Sequence, residues 1–315
     1  MIRIWKTSEE GRTEEIDTLE PGSWVVLVDP EPQELTRVRL EAGIELADMR
    51  DALDPEEKSR IEVDEDYTMV IVDVPVAVLE EEGHCSYTTI PLSIIDNGEI
   101  LITTCLEDLG FEAVLRPRKG LLIKSDTTNR TRMMLQILSF FVQRYQRYLT
   151  DIDKERQRIE DKALSKPNDD DFVELYRLSR SLVYFRISLT SNKAVLDKLF
   201  DPRKVEEMPE VRSVFDDVVI ETGQAIEMTN IYAEILKMTI DQLEAVLNHH
   251  LNSTMRLLTI FAVIMAVPTV IAGFFGMNLE PSSIPLSSSP NGFALVVIFN
   301  VVVCLVLIVL LQRRK

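Results

Sequence analysis

A segment near the C-terminus, GFFGMNLEP at 273–281, carries residue types that could handle a cation. It lies where a long apolar stretch ends and a short polar loop begins. Gly276 would let the backbone turn at the end of a helix. Asn278 would offer an amide carbonyl dipole without a full charge, and Glu280 would add a diffuse negative field behind it. The segment therefore predicts the mouth of a cation path.

A second set of residues recurs in sevens along the helix that leads to this segment. A coiled-coil seam would carry Ile, Val or Leu at these positions, but here they are small or polar. Small residues can let membrane helices approach closely. Alternatively, they line a narrow water path between copies of the helix, which polar members favour because a close-packed seam would leave them unsatisfied. The set comprises Asp241, Ala245, Asn248, Asn252, Met255, Thr259, Ala262, Ala266, Thr269 and Gly273.

These residues, together with the flanking Leu258, are called the small-polar stripe below. One helix supplies only one wall of a path, so the functional unit is expected to be a ring of identical copies. In such a ring, Asn278 of each copy would contribute to a collar of amides. Met255 and Leu258 would form an apolar constriction able to gate by dewetting.

The composition narrows the classes of function. The net charge of -18 and the pI of about 4.7 argue against nucleic-acid binding, which needs a basic face, and favour attraction of cations. The three cysteines form no CxxC pair, so neither a disulfide framework nor a structural zinc site is expected. The sequence shows no P-loop and no convincing catalytic arrangement around its three histidines. We therefore expect a protein that is not an enzyme.

Two stretches without charged residues, Leu257–Leu279 and Gly292–Leu311, are each long enough to cross a membrane. Basic residues flank both, with Arg256 before the first and Arg-Arg-Lys at 313–315 after the second, while the loop between them has none. The positive-inside rule then places both termini in the cytoplasm. The predicted segments are a stalk helix that continues into the first transmembrane helix at 206–278, an extracytoplasmic loop at 279–291, a second transmembrane helix at 292–312 and a basic tail at 313–315.

The part before the stalk divides in two. Residues 1–120 predict an α/β cytoplasmic domain, because short β-branched runs such as SWVVLV and YTMVIVDVPVAV alternate with helical spacing. Residues 121–205 predict a charged antiparallel helix pair broken at SKPNDDD. Asp169–Asp171 would start the second of these helices, with a loose cation site as the alternative. The fold class is thus an α+β cytoplasmic domain, a mixed sheet with flanking helices, followed by long helices and two C-terminal transmembrane helices.

The segment TIFAVIMAVPTVIAGFFGMN resembles the signature of the CorA family of magnesium transport proteins, whose first membrane helix ends in Gly-Met-Asn. The same order of an α/β domain, a helix pair, a stalk helix and a basic tail extends the resemblance over the chain. It implies a homopentameric, funnel-shaped channel in the cell membrane that passes Mg2+ and often Co2+ or Ni2+. Gly276, Met277 and Asn278 take the signature positions.

The resemblance also implies roles for other residues. It places Asp241, Asn252, Met255, Leu258 and Thr269 at pore-facing positions. It assigns a regulatory Mg2+ between neighbouring cytoplasmic domains to Asp51 and Asp217, with Asp216 as an alternative to Asp217.

The chain departs from the family pattern in three places, one of which is Ala266, smaller than the Met that some relatives carry there. The family's acidic Met-Pro-Glu-Leu loop is replaced by LEPSSIPLSSSP, and a further acidic position falls near Ser139. Two alternatives stay open: Zn2+ transport within the same family, with or without coupling to protons, and a membrane-anchored ion sensor that conducts nothing. Against the sensor stands the small-polar stripe, since an anchor needs no such face.

Overall fold

The computed structural model describes residues 1–79, 85–116, 126–165, 168–199, 209–277 and 291–313. The chain forms two compact units, Met1–Ile240 and Asp241–Lys315. The strands are β1 (Ile2–Thr7), β2 (Thr13–Ile16), β3 (Ser23–Val28), β4 (Arg60–Val63), β5 (Thr68–Leu79), β6 (Cys85–Asp96) and β7 (Leu101–Cys105). The helices are α1 (Pro32–Ala42), α2 (Leu46–Asp51), α3 (Glu112–Leu115), α4 (Arg130–Ser165), α5 (Asp169–Leu199), α6 (Pro209–Phe275) and α7 (Gly292–Arg313).

The first unit is built on one mixed sheet of seven strands in the order β2-β1-β3-β7-β6-β5-β4. Strands β3 and β7 run parallel, with Trp24 opposite Leu101, and the other neighbours pair antiparallel. All residues of β3 are buried, because both faces of the sheet are covered.

Helices cover the two faces of the sheet. Val25 and Leu27 of β3 point to one face and pack in a cluster with Leu35 and Val38 of α1 and with Met49 of α2. Trp24, Val26 and Val28 point to the other face, where the cluster includes residues of α4, α5 and the first part of α6. This alternation follows from the two-residue period of a strand.

Helices α4 and α5 form an antiparallel pair. The rings of Tyr145 and Phe185 meet edge to face with their centroids 4.9 Å apart, and further along, Arg158 pairs with Glu174 at 3.2 Å. In contrast, α4 and α6 run in the same direction. Leu135 clusters with Val211 and Val214, and Arg156, later on α4, donates a hydrogen bond to Thr239 of α6 at 3.2 Å.

The acidic triplet at 169–171 begins α5, as the sequence predicts. The Asp171 carboxylate accepts a hydrogen bond from the backbone N–H of Asn168 at 3.1 Å and pairs with Lys162 at 2.7 Å. It therefore satisfies a backbone donor at the helix start. In the described part of the chain, no group of three or more His, Cys, Asp or Glu side chains is arranged to hold a metal ion.

Polar side chains of α5 complete the hydrogen bonds of the β5–β6 hairpin. Beyond the end of β4, the Asn192 amide accepts from the backbone N–H of Asp73 at 2.9 Å and donates to its carbonyl at 2.7 Å. Ser181 accepts from the backbone N–H of Tyr87 at 3.1 Å. Burial raises the pKa of the Asp73 carboxyl, which the hydroxyls of Ser188 and Ser59 partly oppose.

The second unit comprises the C-terminal part of α6 and helix α7. The helical segments Val211–Phe275 and Gly292–Val309 are long and apolar enough to cross a membrane by length and composition. The predicted fold class is confirmed: a mixed sheet with flanking helices, long helices and two apolar C-terminal helices. The prediction missed β1, β2, β4 and α3, because these elements are short and, in β2 and β4, interrupted by charged residues.

Candidate functional site

Helix α7 packs against one face of α6 within the second unit. The half-buried residues of α6 in this region recur every three or four positions, as one helical face requires. They are Ile260, Ile264, Val267, Pro268 and Ile271. The half-buried residues of α7 repeat in the same way and include Val296, Asn300 and Cys304. The two helices therefore each present one face to the other.

The small-polar stripe lies on the other side of α6. At about 100° per residue, its centre is roughly 160° around the helix from the face that α7 covers. Every member of the stripe is exposed in the single chain. These exposed residues are Asp241, Ala245, Asn248, Asn252, Met255, Leu258, Thr259, Ala262, Ala266, Thr269 and Gly273. The fold thus places the predicted stripe together on a face that the chain itself does not cover.

The hydroxyl groups of the stripe are bonded to their own helix. Thr259 donates to the carbonyl of Met255, and Thr269 donates to the carbonyl of Met265, each at 2.8 Å. Because each hydroxyl proton is used in this way, the oxygen turns its lone pairs outward as an acceptor. A Thr on this stripe therefore offers a cation, or the water around it, an oxygen without a competing donor.

A proline inside α6 leaves one carbonyl without its usual partner. Pro268 has no N–H to donate to the carbonyl of Ile264, four residues earlier. The thiol of Cys304 on α7 donates to that carbonyl at 3.8 Å. A cysteine in an apolar helix most often serves as a small apolar filler. The structure instead gives Cys304 a neighbouring-helix hydrogen bond of the kind that lets membrane helices tolerate proline.

Asn300 lies one turn before Cys304 on the same face of α7. An asparagine in the middle of an apolar span commonly makes a hydrogen bond to a neighbouring helix. The Oδ1 atom of Asn300 is buried but accepts no hydrogen bond from any described residue. An amide oxygen buried without a donor is costly in an apolar environment.

The predicted entrance lies partly outside the described residues. Gly276 and Met277 are described and exposed, whereas Asn278 and Glu280 are not among the described residues. Gly276 lies in a turn directly after the last residue of α6, and its backbone N–H donates to the carbonyl of Ala272 at 2.9 Å. Its φ is not positive, unlike that of the described glycines Gly22 and Gly43. Its constraint is space, because a Cβ there would lie 3.3 Å from the carbonyl oxygen of Ala272.

In the first unit, Asp51 is bound by an arginine. Its Oδ2 atom lies 2.5 Å from Nη2 of Arg60, and both side chains are about 30% exposed, at 28% and 30% respectively. Burial raises the pKa of the Asp51 carboxyl, and the Arg60 guanidinium counteracts part of that rise. Asp217 lies on α6 and is exposed, as is the alternative Asp216, which is 3.9 Å from Arg212.

Asp51 and Asp217 belong to opposite sides of the sheet. Asp51 ends α2, whose Met49 packs on the face that α1 covers. Asp217 precedes Val218, which packs into the cluster on the other face. Hard carboxylate oxygens of this kind suit Mg2+. A Mg2+ ion held by both residues would therefore need Asp51 of one copy and Asp217 of another.

Sequence reasoning missed the contacts that three residues make. Arg60 and Cys304 contact a predicted site or the helix that carries it, and Arg156 joins α4 to α6. Only Pro268 signalled in advance that some donor must reach Ile264. Which residue of α7 does so depends on the register of the two helices.

The chain resembles known proteins over nearly all its length. A family model described as CorA-like Mg2+ transporter protein matches residues 21–314. The cobalt/magnesium transport protein CorA of Methanocaldococcus jannaschii is 30% identical over 92% of this chain and 90% of that protein. The protein of the same name from Thermotoga maritima is 24% identical over 87% of this chain and 77% of that one.

Solved structures agree with this relationship. The complete structure of the CorA magnesium transporter from M. jannaschii superposes with a TM-score of 0.81 at 27% identity, covering 100% of this chain and 98% of the other. The family match, the curated relatives and the shared architecture of mixed sheet, long helices and two apolar C-terminal helices agree. This chain belongs to the family of CorA-like Mg2+ transporter proteins.

Proposed function

We propose that this chain forms a ring of identical copies, a pentamer by family resemblance, that carries hydrated Mg2+ across the cell membrane, with Co2+ and Ni2+ as further substrates. The observation that carries the proposal is the small-polar stripe on the face of α6 that α7 leaves uncovered. Asp241, Asn248 and Asn252 carry the stripe towards the cytoplasm before the apolar span begins at Leu257, and Thr259 and Thr269 continue it inside the span. Facing a shared axis, these side chains would remain hydrated.

The residue types suit an ion that keeps its water. Mg2+ gives up its hydration shell reluctantly. The outward-turned oxygens of Thr259 and Thr269 can accept hydrogen bonds from that shell. At the entrance, Gly276 and Met277 would present the Asn278 amide, and Glu280 would add negative field. An amide collar would attract a hydrated dication without holding it too tightly to leave.

The membrane potential is sufficient to drive uptake. A unit charge gains about 2.3 kcal/mol per 100 mV, so a dication gains about 4.6 kcal/mol. That corresponds to accumulation of roughly a thousandfold or more. The basic residues flanking the two spans orient both termini to the cytoplasm. The only loop outside would then be 279–291.

Cytoplasmic Mg2+ is proposed to hold the ring closed by bridging copies. Two facing carboxylates about 4 Å apart repel by roughly 1–4 kcal/mol at effective dielectric constants of 80 to 20. Mg2+ between Asp51 of one copy and Asp217 of the next would cancel that repulsion. When the internal Mg2+ concentration falls, the interfaces would loosen and the constriction at Met255 and Leu258 would hydrate.

Uptake of Mg2+ into proteoliposomes tests the path through the stripe. Ala262→Leu places bulk in the middle of the stripe and should abolish most of the uptake. Ala272→Leu makes the same change roughly 100° around the helix from both the stripe and α7, and should keep it. Equal uptake by the two variants would contradict a path along the stripe.

A second comparison addresses the entrance and the alternatives. Asn278→Ala removes the amide collar and should lower uptake of every divalent cation that the parent carries. Parallel assays with Zn2+, with and without a proton gradient, distinguish the Zn2+ alternative. Complete absence of flux for the parent protein, with Mg2+ binding retained, would favour the non-conducting sensor.

A further inference from the structure

Arg60 engages three different carboxylates at once. Its Nη2 lies 2.5 Å from Oδ2 of Asp51 and its Nε lies 2.6 Å from Oε1 of Glu62. Its Nη1 contacts Oε1 of Glu57. Every nitrogen of the guanidinium is therefore committed to an acidic partner.

The partners come from separate parts of the chain that the fold brings together. Asp51 is the last residue of α2, and Arg60 is the first residue of β4, paired with Ile71 of β5. Asp48, one turn before Asp51, is also close enough to raise the pKa of Asp51. The positive charge of Arg60 thus partly neutralises the negative charges of several carboxylates at the edge of the sheet.

A guanidinium and a divalent cation compete for the same oxygens. Arg60 occupies Oδ2 of Asp51, one of the two oxygens that a metal ion could use, and its positive charge repels an approaching dication. Arg60 therefore opposes binding of Mg2+ at Asp51. Conversely, when Mg2+ leaves, Arg60 restores a counter-ion to Asp51 and the carboxylates are not left to repel one another.

We propose that Arg60 is an internal competitor of the regulatory cation at Asp51 and sets the Mg2+ concentration at which that site fills. This inference rests on the proposed regulatory role of Asp51. It adds no new metal site. It states that Arg60 lowers the affinity of the proposed Asp51 site for Mg2+. Removing Arg60 should make the protein respond to less Mg2+.

The test measures Mg2+ binding without transport. Full-length protein in detergent is heated at increasing MgCl2 and constant ionic strength, and the midpoint of the Mg2+-dependent rise in unfolding temperature is recorded. Arg60→Gln should lower this midpoint by about tenfold, since loss of the ion pair and of the repulsion each favour the cation. Arg60→Lys keeps the positive charge but cannot contact all three carboxylates at once, so its midpoint should lie between those of the parent and Arg60→Gln.

The matched control is Arg37→Gln in the same unit. Arg37 makes an exposed pair with Glu41 at 3.1 Å, so this variant loses the same charge away from Asp51. Its midpoint should stay within about twofold of the parent, because exposed charges are largely screened. Adding Asp51→Asn to Arg60→Gln should remove the gain in affinity.

Two results would refute different statements. If Asp51→Asn shifts the parent's midpoint but Arg60→Gln behaves like Arg37→Gln, the regulatory site stands and the competition proposed here is wrong. If Asp51→Asn changes nothing in either the parent or Arg60→Gln, Asp51 holds no regulatory cation. The role proposed for Arg60 then falls with it.

Discussion

Replacing Arg156 by Met should destabilise the Met1–Ile240 unit much more than the same replacement of Arg158, two positions further along α4. Arg156 is nearly buried, with a side chain 10% exposed. It pairs with Asp153 at 2.9 Å and with Glu160 at 2.5 Å. It also donates to Thr239 of α6 at 3.2 Å. Arg158 makes ion pairs as well, but its side chain is 54% exposed.

The expected magnitudes follow from this difference in burial. Removing one partner of a buried ion pair costs about 3–5 kcal/mol, and a hydrogen bond to a charged group contributes about 1.5–3 kcal/mol. Asp153 and Glu160 are 19% and 25% exposed, so water can partly replace the lost guanidinium. We therefore expect about 2–3 kcal/mol for Arg156→Met and at most about 1 kcal/mol for Arg158→Met.

Tryptophan fluorescence during heating is a suitable assay, because both tryptophans of the chain, Trp5 and Trp24, lie in the sheet of this unit. At about 2–4 °C per kcal/mol for a unit of this size, Arg156→Met should lower the apparent Tm by roughly 5–10 °C. Added salt should remove most of the Tm shift caused by Arg158→Met and leave the Tm shift caused by Arg156→Met. Equal Tm shifts for the two variants would refute the claim that burial makes the contacts of Arg156 more stabilising than those of Arg158.

Three further outcomes follow from single positions. A Cβ added at Gly273 or at Gly223 meets nothing within 4 Å in the chain, so Gly→Ala at either position should stabilise the helix by about 1 kcal/mol. Only Gly273→Ala should also reduce Mg2+ flux in proteoliposomes, and a normal flux would show that Gly273 does not line the path. Cys304→Ala should lower the Tm by the equivalent of about 0.5–1 kcal/mol, because the Ile264 carbonyl loses a weak hydrogen bond; Cys304→Ser should restore it, and a loss equal to that of Ala would contradict the hydrogen bond. Burial raises the pKa of the Asp73 carboxyl, so the folded state binds its proton more tightly than the unfolded state, and the stability that this contributes at low pH is lost as pH rises through the raised pKa. Asp73→Asn should therefore raise the Tm at neutral pH, and this gain in Tm should disappear as pH falls towards the usual pKa range of aspartate. A Tm difference that does not change with pH would show that the carboxylate is ionised without cost.

Local patterns in the sequence were sufficient for the main elements. Strands such as SWVVLV and the 12-residue arms of the β5–β6 hairpin are long, β-branched runs, so their type can be recognised without their neighbours. Pro209 marks the start of α6, as expected for a residue that needs no helical N–H donor. The small-polar stripe is also a local property, since helical periodicity alone assigns its members to one face.

Other features depend on contacts between residues far apart in the chain. The order of the seven strands, the parallel pairing of β3 with β7 and the presence of β1, β2 and β4 are set by which faces become buried. Short strands with charged residues have too little intrinsic preference to be recognised before that burial is known. The hydrogen bond from Asn192 to the backbone carbonyl of Asp73 joins residues 119 positions apart, so no local sequence pattern can predict it.

The sequence by itself determined which face of α6 is small and polar, and that two apolar helices end the chain. Only the tertiary structure decided that α7 covers the opposite face, that the Cys304 thiol meets the carbonyl freed by Pro268, and that Arg60 holds Asp51. The physical reason is that periodicity is a property of one element. Which face is covered, and which charge meets which, depends on how separate elements pack together.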